Sequence, residues 1–257
     1  MIEHIPQIGA DGGRAPSGRN AGGSSLSWWI AFAGALFVLG YLVLAKPVPY
    51  RAILEFLPDG ILATFKITVC AIAFALLLGL VAGLGRISSN RVFNTLASTY
   101  VEVVRGVPLL VQLFYIYYAL GRFVRVPDTV AAITAMAVCY GAYMAEVFRA
   151  GIEAIDKGQT EAALSLGLGR TQTMAYVILP QAWRTILPPA GNESIALLKD
   201  TSLVSILAVA DLLRRGREYA SETFTYFETY TVVALIYLII TLLLSKLVSI
   251  LEKKLAR

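Results

Sequence analysis

Asn192, Glu193, Lys199 and Asp200 fall within an otherwise apolar stretch of this 257-residue chain. Asn192 and Lys199 are seven residues apart, as are Glu193 and Asp200, so a helix draws the four into one polar stripe that Ser202 extends. Setting Lys199 or Asp200 deep in a bilayer costs ~2.5 to 3.5 kcal/mol each, so both should face a cavity or a partner. Sequence neighbours do not face each other along a helix, so the two cannot simply neutralise one another and each needs a further counter-ion. A zwitterionic solute such as an amino acid supplies both, its carboxylate meeting Lys199 and its ammonium meeting Asp200 or Glu193. A structural charge network with Glu102, Arg105 or Glu146 would serve the same residues as well. Pro188, Pro189 and Gly191, just before the stripe, are expected to break the helix and free carbonyls.

Other chemistry is poorly supplied. The single histidine, His4, lies far from any apolar stretch, so no metal site and no cofactor are expected. Glu102 and Glu146 stand apart, with no Ser/His or Cys/His arrangement, which argues against an intramembrane enzyme. Cys70 and Cys139 are isolated among apolar residues and read as small buried hydrophobes. No G-x-x-x-x-G-K-[ST] occurs and no glycine precedes a lysine, so the chain cannot cradle ATP phosphates by itself. The net charge of +5 is scattered rather than gathered into an aromatic-interleaved patch, which excludes nucleic acid as the natural partner.

The elements that must position the stripe are membrane spans. The chain is 57% hydrophobic and 15% charged, with mean hydropathy +0.69, which marks an all-α, polytopic membrane protein in a lipid bilayer. Six spans are expected, at 28–44, 61–84, 100–120, 130–148, 186–209 and 230–250, each near the ~20 residues a bilayer needs. Residues 1–25, rich in Gly, Ser, Asn and Arg, read as a disordered cytoplasmic tail, 26–46 as an extra helix, 57–252 as the transmembrane domain and 253–257 as a cytoplasmic tail. The 28–44 segment begins too far from Met1 for a signal peptide and is read as a retained span. With the amino end inside, Arg14, Arg19, Arg86, Arg91, Arg149, Lys157, Arg170, Arg184, Lys253, Lys254 and Arg257 fall on the cytoplasmic side. Lys46, Arg51, Arg122, Arg125, Arg214, Arg215 and Arg217 fall outside, a modest positive-inside bias. Lys66 is expected to snorkel, Tyr115, Tyr117 and Tyr118 to form an interfacial belt, and Glu146 and Arg149 to pair within one helix.

A second chemistry-bearing region lies at 156–180. Asp156 suits an N-cap with Gln159 three residues on, Glu161 should sit in the first turn, and Gly167 or Gly169 should supply a left-handed stop. Thr171 then restarts a helix that Pro180 should end. Leu164, Leu166, Leu168, Met174, Val177 and Ile178 make this hairpin too apolar for an idle loop, so a docking partner is expected.

The run Glu161-Ala162-Ala163, then Gly167, then Val177-Ile178-Leu179-Pro180 resembles the "EAA" coupling loop of ABC-importer permeases, with Val177 where that family usually carries Ile. Three further stretches resemble permeases for polar amino acids and opines: Arg105-Gly106-Val107-Pro108 with Leu109, Leu110 and Gln112; Ala142-Tyr143 through Ile152; and Leu197 through Leu203. The resemblance implies a five-span type I permease core plus one extra amino-terminal helix, in a bacterial inner membrane. It implies a second permease subunit, ABC ATPase subunits seated on the hairpin through Glu161, Ala162, Ala163, Gly167 and Gly169, and a periplasmic or extracellular solute-binding protein. The polar stripe makes Asn192, Glu193, Lys199, Asp200, Thr201 and Ser202 the candidate substrate contacts of such a permease. An ion-gradient-driven carrier for a zwitterionic solute is the alternative that the polar stripe alone would allow.

Overall fold

The computed structural model describes residues 21–123 and 126–255, all helix, turn or loop with no strand among them. His4, Arg14, Arg19, Arg125 and Arg257, and all but the last residues of the expected amino-terminal tail, lie outside the described residues. The helices are α1 (Ala21–Ala45), α2 (Pro47–Phe56), α3 (Pro58–Arg86), α4 (Arg91–Gly106), α5 (Leu109–Phe123), α6 (Asp128–Glu153), α7 (Lys157–Ser165), α8 (Arg170–Thr173), α9 (Leu179–Asp200), α10 (Leu212–Thr223) and α11 (Tyr226–Leu255). A π-turn, Met174–Ile178, joins α8 to α9, and a 3-10 turn, Thr201–Leu207, follows α9. Residues 21–25 are thus helical rather than tail, because extending a nucleated helix by a few residues costs little. For the same reason α11 runs through Lys253 and Lys254.

Leu26–Ala45 of α1, with α3, α6 and α11, are long and apolar enough to cross a bilayer. The expected span at 100–120 is instead two helices, α4 and α5, bent by 108°. Val107 is extended (φ −111°, ψ 134°), as a residue before proline prefers, and Pro108 stands just ahead of α5. Pro108 has no N–H for the Val104 carbonyl four residues back. The Gln112 amide replaces it, donating to Val104 O at 2.6 Å and to Val107 O at 2.7 Å. The span expected at 186–209 is displaced: α9 begins at Leu179, ends at Asp200 and is succeeded by the tighter 3-10 turn, which closes on Ala208 in the left-handed region (φ 64°).

Pro188 and Pro189 do not break α9; they lie inside it. Two successive prolines leave the Arg184 and Thr185 carbonyls without their usual donors, yet φ near −65° is helical, so the rod continues. Pro180 does not end a helix either. The Leu179 N–H reaches back five residues to Met174 O, and this wider turn places Pro180 at the second position of α9, where no N–H is required.

Parallel helices α3 and α6 form the centre. Gly79 and Gly83 on α3 face Met144 and Phe148 on α6, and a methyl group at either glycine would overlap them. Small residues allow this approach, which dispersion then stabilises in lipid where apolar burial contributes little. Ala71, Ala75, Ala132 and Ala135 continue the seam, all fully buried. Against it lies α9, with Ile186 seated on Gly151, and α11 follows, its Val248 against Gly191. Outermost, α1 is tied to α11 by the Trp28 indole, which donates to Leu242 O at 2.9 Å and stacks under the Lys246 ammonium at 4.9 Å. Lys66 is exposed, Cys139 buried, and Cys70 only half-buried, beside a cavity between α3 and α6. In the tyrosine cluster, Tyr115 and Tyr118 are exposed, while the Tyr117 hydroxyl donates to Asp128 at 2.9 Å.

Candidate functional site

The polar residues of α9 do not form one stripe but two rows. Glu193 and Asp200 are half-buried and turn toward α6, whereas Asn192 and Lys199, about 100° around the helix, are exposed. Asp200 accepts a hydrogen bond from the Tyr140 hydroxyl at 2.7 Å. Tyr143 follows one turn along α6, its ring 5.7 Å from that of Tyr140, and the Arg105 guanidinium lies 5.3 Å over the Tyr143 face. Glu193 is within electrostatic reach of both Arg105 and Asp200. Two acids, two phenols and one guanidinium therefore converge where α6, α9 and the end of α4 meet. The Gln112 clamp sets Arg105 there by holding the bend at the last turn of α4.

Lys199 makes no hydrogen bond or ion pair with the described residues, so it takes no part in the alternative charge network with Glu102, Arg105 or Glu146. Thr201 is fully buried, with its hydroxyl donating to Leu198 O at 2.6 Å; it frames the change from α-helix to 3-10 turn. Ser202 is half-buried in that turn.

Glu146 pairs with Arg149 as expected from their spacing, and also with Arg86 of α3. Arg105 Nη1 stands 3.9 Å from the same carboxylate, and Arg149 reaches on to Glu153. One carboxylate thus gathers cations from three helices, and Arg105 stands between this cluster and the acids of α9. Sequence spacing reveals only the pair on one helix. Tyr140 was not foreseen; two tyrosines three apart in mid-span, able to offer hydroxyls on one face, were the available signal.

At the end of α6 the chain folds into the hairpin. Asp156 caps α7, accepting from Gly158 N at 2.7 Å. Gly167, not Gly169, provides the left-handed residue (φ +84°). Around it Gly167 N donates to Leu164 O at 3.0 Å and Leu168 N to Ala163 O at 3.2 Å, the bond pair of a Schellman end. Gly169 instead caps α8, its N–H donating to Gln172 Oε1 at 2.9 Å. Glu161 lies in the second turn of α7 rather than the first, because the helix begins at Lys157. Ala163 is buried, while Glu161 and Ala162 are exposed. Leu166 and Tyr176 stand out at 83% and 74% exposure, apolar surface of the kind that marks a docking face. Tyr176 carries no motif of its own; only its position in the turn between α8 and α9 exposes it.

Residues 75–257 match the family described as "Binding-protein-dependent transport system inner membrane component". The chain is 41% identical over 199 residues to the glutamine transport system permease protein GlnP of Escherichia coli strain K12, covering 76% of this chain and 91% of that protein. It is 36% identical over 204 residues to the arginine transport system permease protein ArtQ of Bacillus subtilis strain 168, covering 79% and 93%. Among solved structures, one described as an amino acid ABC transporter with histidines superposes with a TM-score of 0.74 at 42% identity, covering 83% of this chain and 98% of that one. An inward-facing methionine ABC transporter, MetNI, superposes with a TM-score of 0.70 at 19% identity, a likeness of fold.

Proposed function

Since the chain belongs to the family of binding-protein-dependent transport system inner membrane components, we propose that it is the permease subunit of an ATP-driven importer of polar amino acids or opines in a bacterial inner membrane. Relatives named for glutamine and arginine transport support the substrate class. The observation that carries the reading is that Asp200, at the end of α9, meets Tyr140 midway along α6, with Tyr143 and Arg105 beside them and Glu193 two turns back on α9. An ammonium would pair with either carboxylate and a carboxylate with the guanidinium, so the site would grip the backbone charges shared by all amino acids. Asn192, Lys199 and Ser202 complete it, with exposed Asn192 and Lys199 reaching a path shared with a second permease subunit, while buried Thr201 holds the turn behind them.

Two ABC ATPase subunits seat on the two hairpins, one on each permease. Glu161, Ala162, Ala163, Gly167 and Gly169 present the contact, and exposed Leu166 and Tyr176 add apolar area to it. The hairpin faces the cytoplasm and α10 the outside, where a solute-binding protein delivers substrate. Closure of the ATPases pushes α7 and α8, and the continuous π-turn passes that motion into α9, which bears Glu193 and Asp200. A two-state element biased from both sides results.

The test is uptake into proteoliposomes that hold the whole transporter with its binding protein. Asp200→Asn removes a charge-assisted contact, a loss of about 1.5 to 3 kcal/mol, so uptake should fall about 10- to 100-fold while ATPase subunits remain bound. Unchanged uptake would take Asp200 out of the site. Vanadate should stop transport, whereas loss of uptake only with an ionophore would point to the ion-driven alternative.

A further inference from the structure

A lateral groove runs between α9 and α11 toward the hairpin end of the bundle. Its cavity is about 270 Å³. Trp183, Leu187, Gly191, Leu247, Val248 and Leu251 line its length. Gly191 lets Val248 approach and so forms the floor, and Ser194, the polar side chain along it, spends its hydroxyl on Ala190 O at 2.8 Å. The lining is therefore apolar, and it lies along α11, a helix apolar enough to cross a bilayer.

The mouth is different. Arg184 precedes Leu187 by three residues and Gly191 by seven, so it shares the face of α9 that borders the groove. Lys254 follows Leu251 by three and Leu247 by seven, placing it on the matching face of α11. Both are exposed, and neither has an ion-pair partner among the described residues. Trp183, adjacent to Arg184 in sequence, lines the groove and is 46% exposed, a side chain that favours the boundary between acyl chains and headgroups.

We propose that this groove holds an acyl chain of an anionic phospholipid, whose headgroup phosphate meets Arg184 and Lys254. Charge complementarity selects the occupant: an apolar slot opening onto two unpaired cations fits a molecule with an apolar tail and an anionic head. A twofold contact of a second copy through this face would bring four cations together. The inference is independent of the substrate and of the ATPase contact.

Native mass spectrometry of the purified full-length chain decides it, with phosphatidylglycerol and phosphatidylcholine of identical acyl chains as probes. Two basic side chains at a charged surface each favour the anionic lipid about fivefold, so phosphatidylglycerol should be retained about thirtyfold better. Arg184→Gln or Lys254→Gln alone should lower that preference about fivefold, and the double variant should bring it to parity. Both residues are exposed, so circular dichroism should not change. Equal retention of the two lipids by the unaltered chain, or an undiminished preference in the double variant, would overturn the proposal. So would a copy-to-copy disulfide formed through Ser194→Cys in membranes, which would hand the groove to a second subunit.

Discussion

A short helix capped by an aspartate stands at each end of the bundle, and the two are held in opposite ways. At the hairpin end Asp156 caps α7 from an exposed position, and α7 meets the rest of the chain through buried Ala163 and a 3.2 Å bond between Gln159 and Gln181. At the far end Asp211 caps α10 while fully buried, accepting from Leu213 N at 3.2 Å and Arg214 N at 3.0 Å. Leu212 N donates to Thr64 Oγ1 of α3 at 3.0 Å, the Arg215 guanidinium lies 4.2 Å over Phe56 of α2, and Gly216 fits against Val233 of α11. The far end is thus moulded into three neighbouring helices, while the hairpin is a self-contained unit joined mainly through the π-turn. Such a division suits a lever working against a fixed end.

The largest effect expected from this contrast is a pH dependence seated at the far end. Burial pushes the Asp211 carboxyl from about 3.8 up to about 6, against the lowering effect of its hydrogen bonds to Arg214 N and Leu213 N. The folded chain then holds the proton more tightly than the unfolded chain. Stability from this group is greatest below pH 3.8, falls as pH rises toward about 6, and is level above that. The shift corresponds to roughly 2 to 3 kcal/mol. Thermal unfolding of Asp211→Asn beside the unaltered chain, from pH 4 to 8, should show that slope in the parent and not in the variant. A slope kept by the variant would mean that the far end draws its pH response from elsewhere.

Next in size is Gly167→Val. A branched side chain at φ +84° costs about 1 to 2 kcal/mol or more, but the strain falls on a unit with few outward bonds. Binding-protein-stimulated ATP hydrolysis should uncouple from uptake while the midpoint of global unfolding hardly moves. Gly167→Asn, whose side chain tolerates the left-handed region, should restore most coupling. Retention of full coupling by the valine variant would remove Gly167 from the lever.

These differences also mark what was readable before any coordinates. The caps of the hairpin follow from rules that span five or six residues, so Asp156 was legible, the left-handed stop was narrowed to Gly167 or Gly169, and the four apolar helices were legible too. Glu193 and Asp200 were singled out because ionisable groups in an apolar run are costly. Their surroundings were not legible: Asp200 meets Tyr140 across 60 positions of sequence, and Glu146 meets Arg86 across the same interval. Prolines act in opposite ways in this chain. Pro108 bends the chain because its neighbour must be extended, whereas Pro188 and Pro189 stay in a helix whose flanks are fixed by α6 and α11. Local chemistry states which bonds proline removes; only the surrounding helices determine whether the chain bends there.

The smallest expected effect is the most direct comparison of the two caps. Asp156→Ala deletes one hydrogen bond to Gly158 N in an exposed turn, where water replaces the acceptor. The cost, about 0.5 to 1 kcal/mol, should appear as faster amide exchange in the first turn of α7, with no measurable change in global unfolding. Asp211→Ala removes acceptors from two N–H groups at a buried cap, leaving donors that water cannot reach, and should lower global stability by about 1 to 3 kcal/mol. The same substitution at equivalent cap positions would then read out the two settings separately. If Asp156→Ala depressed the unfolding midpoint as far as Asp211→Ala does, the hairpin would be cooperative with the bundle and could not serve as an independent lever.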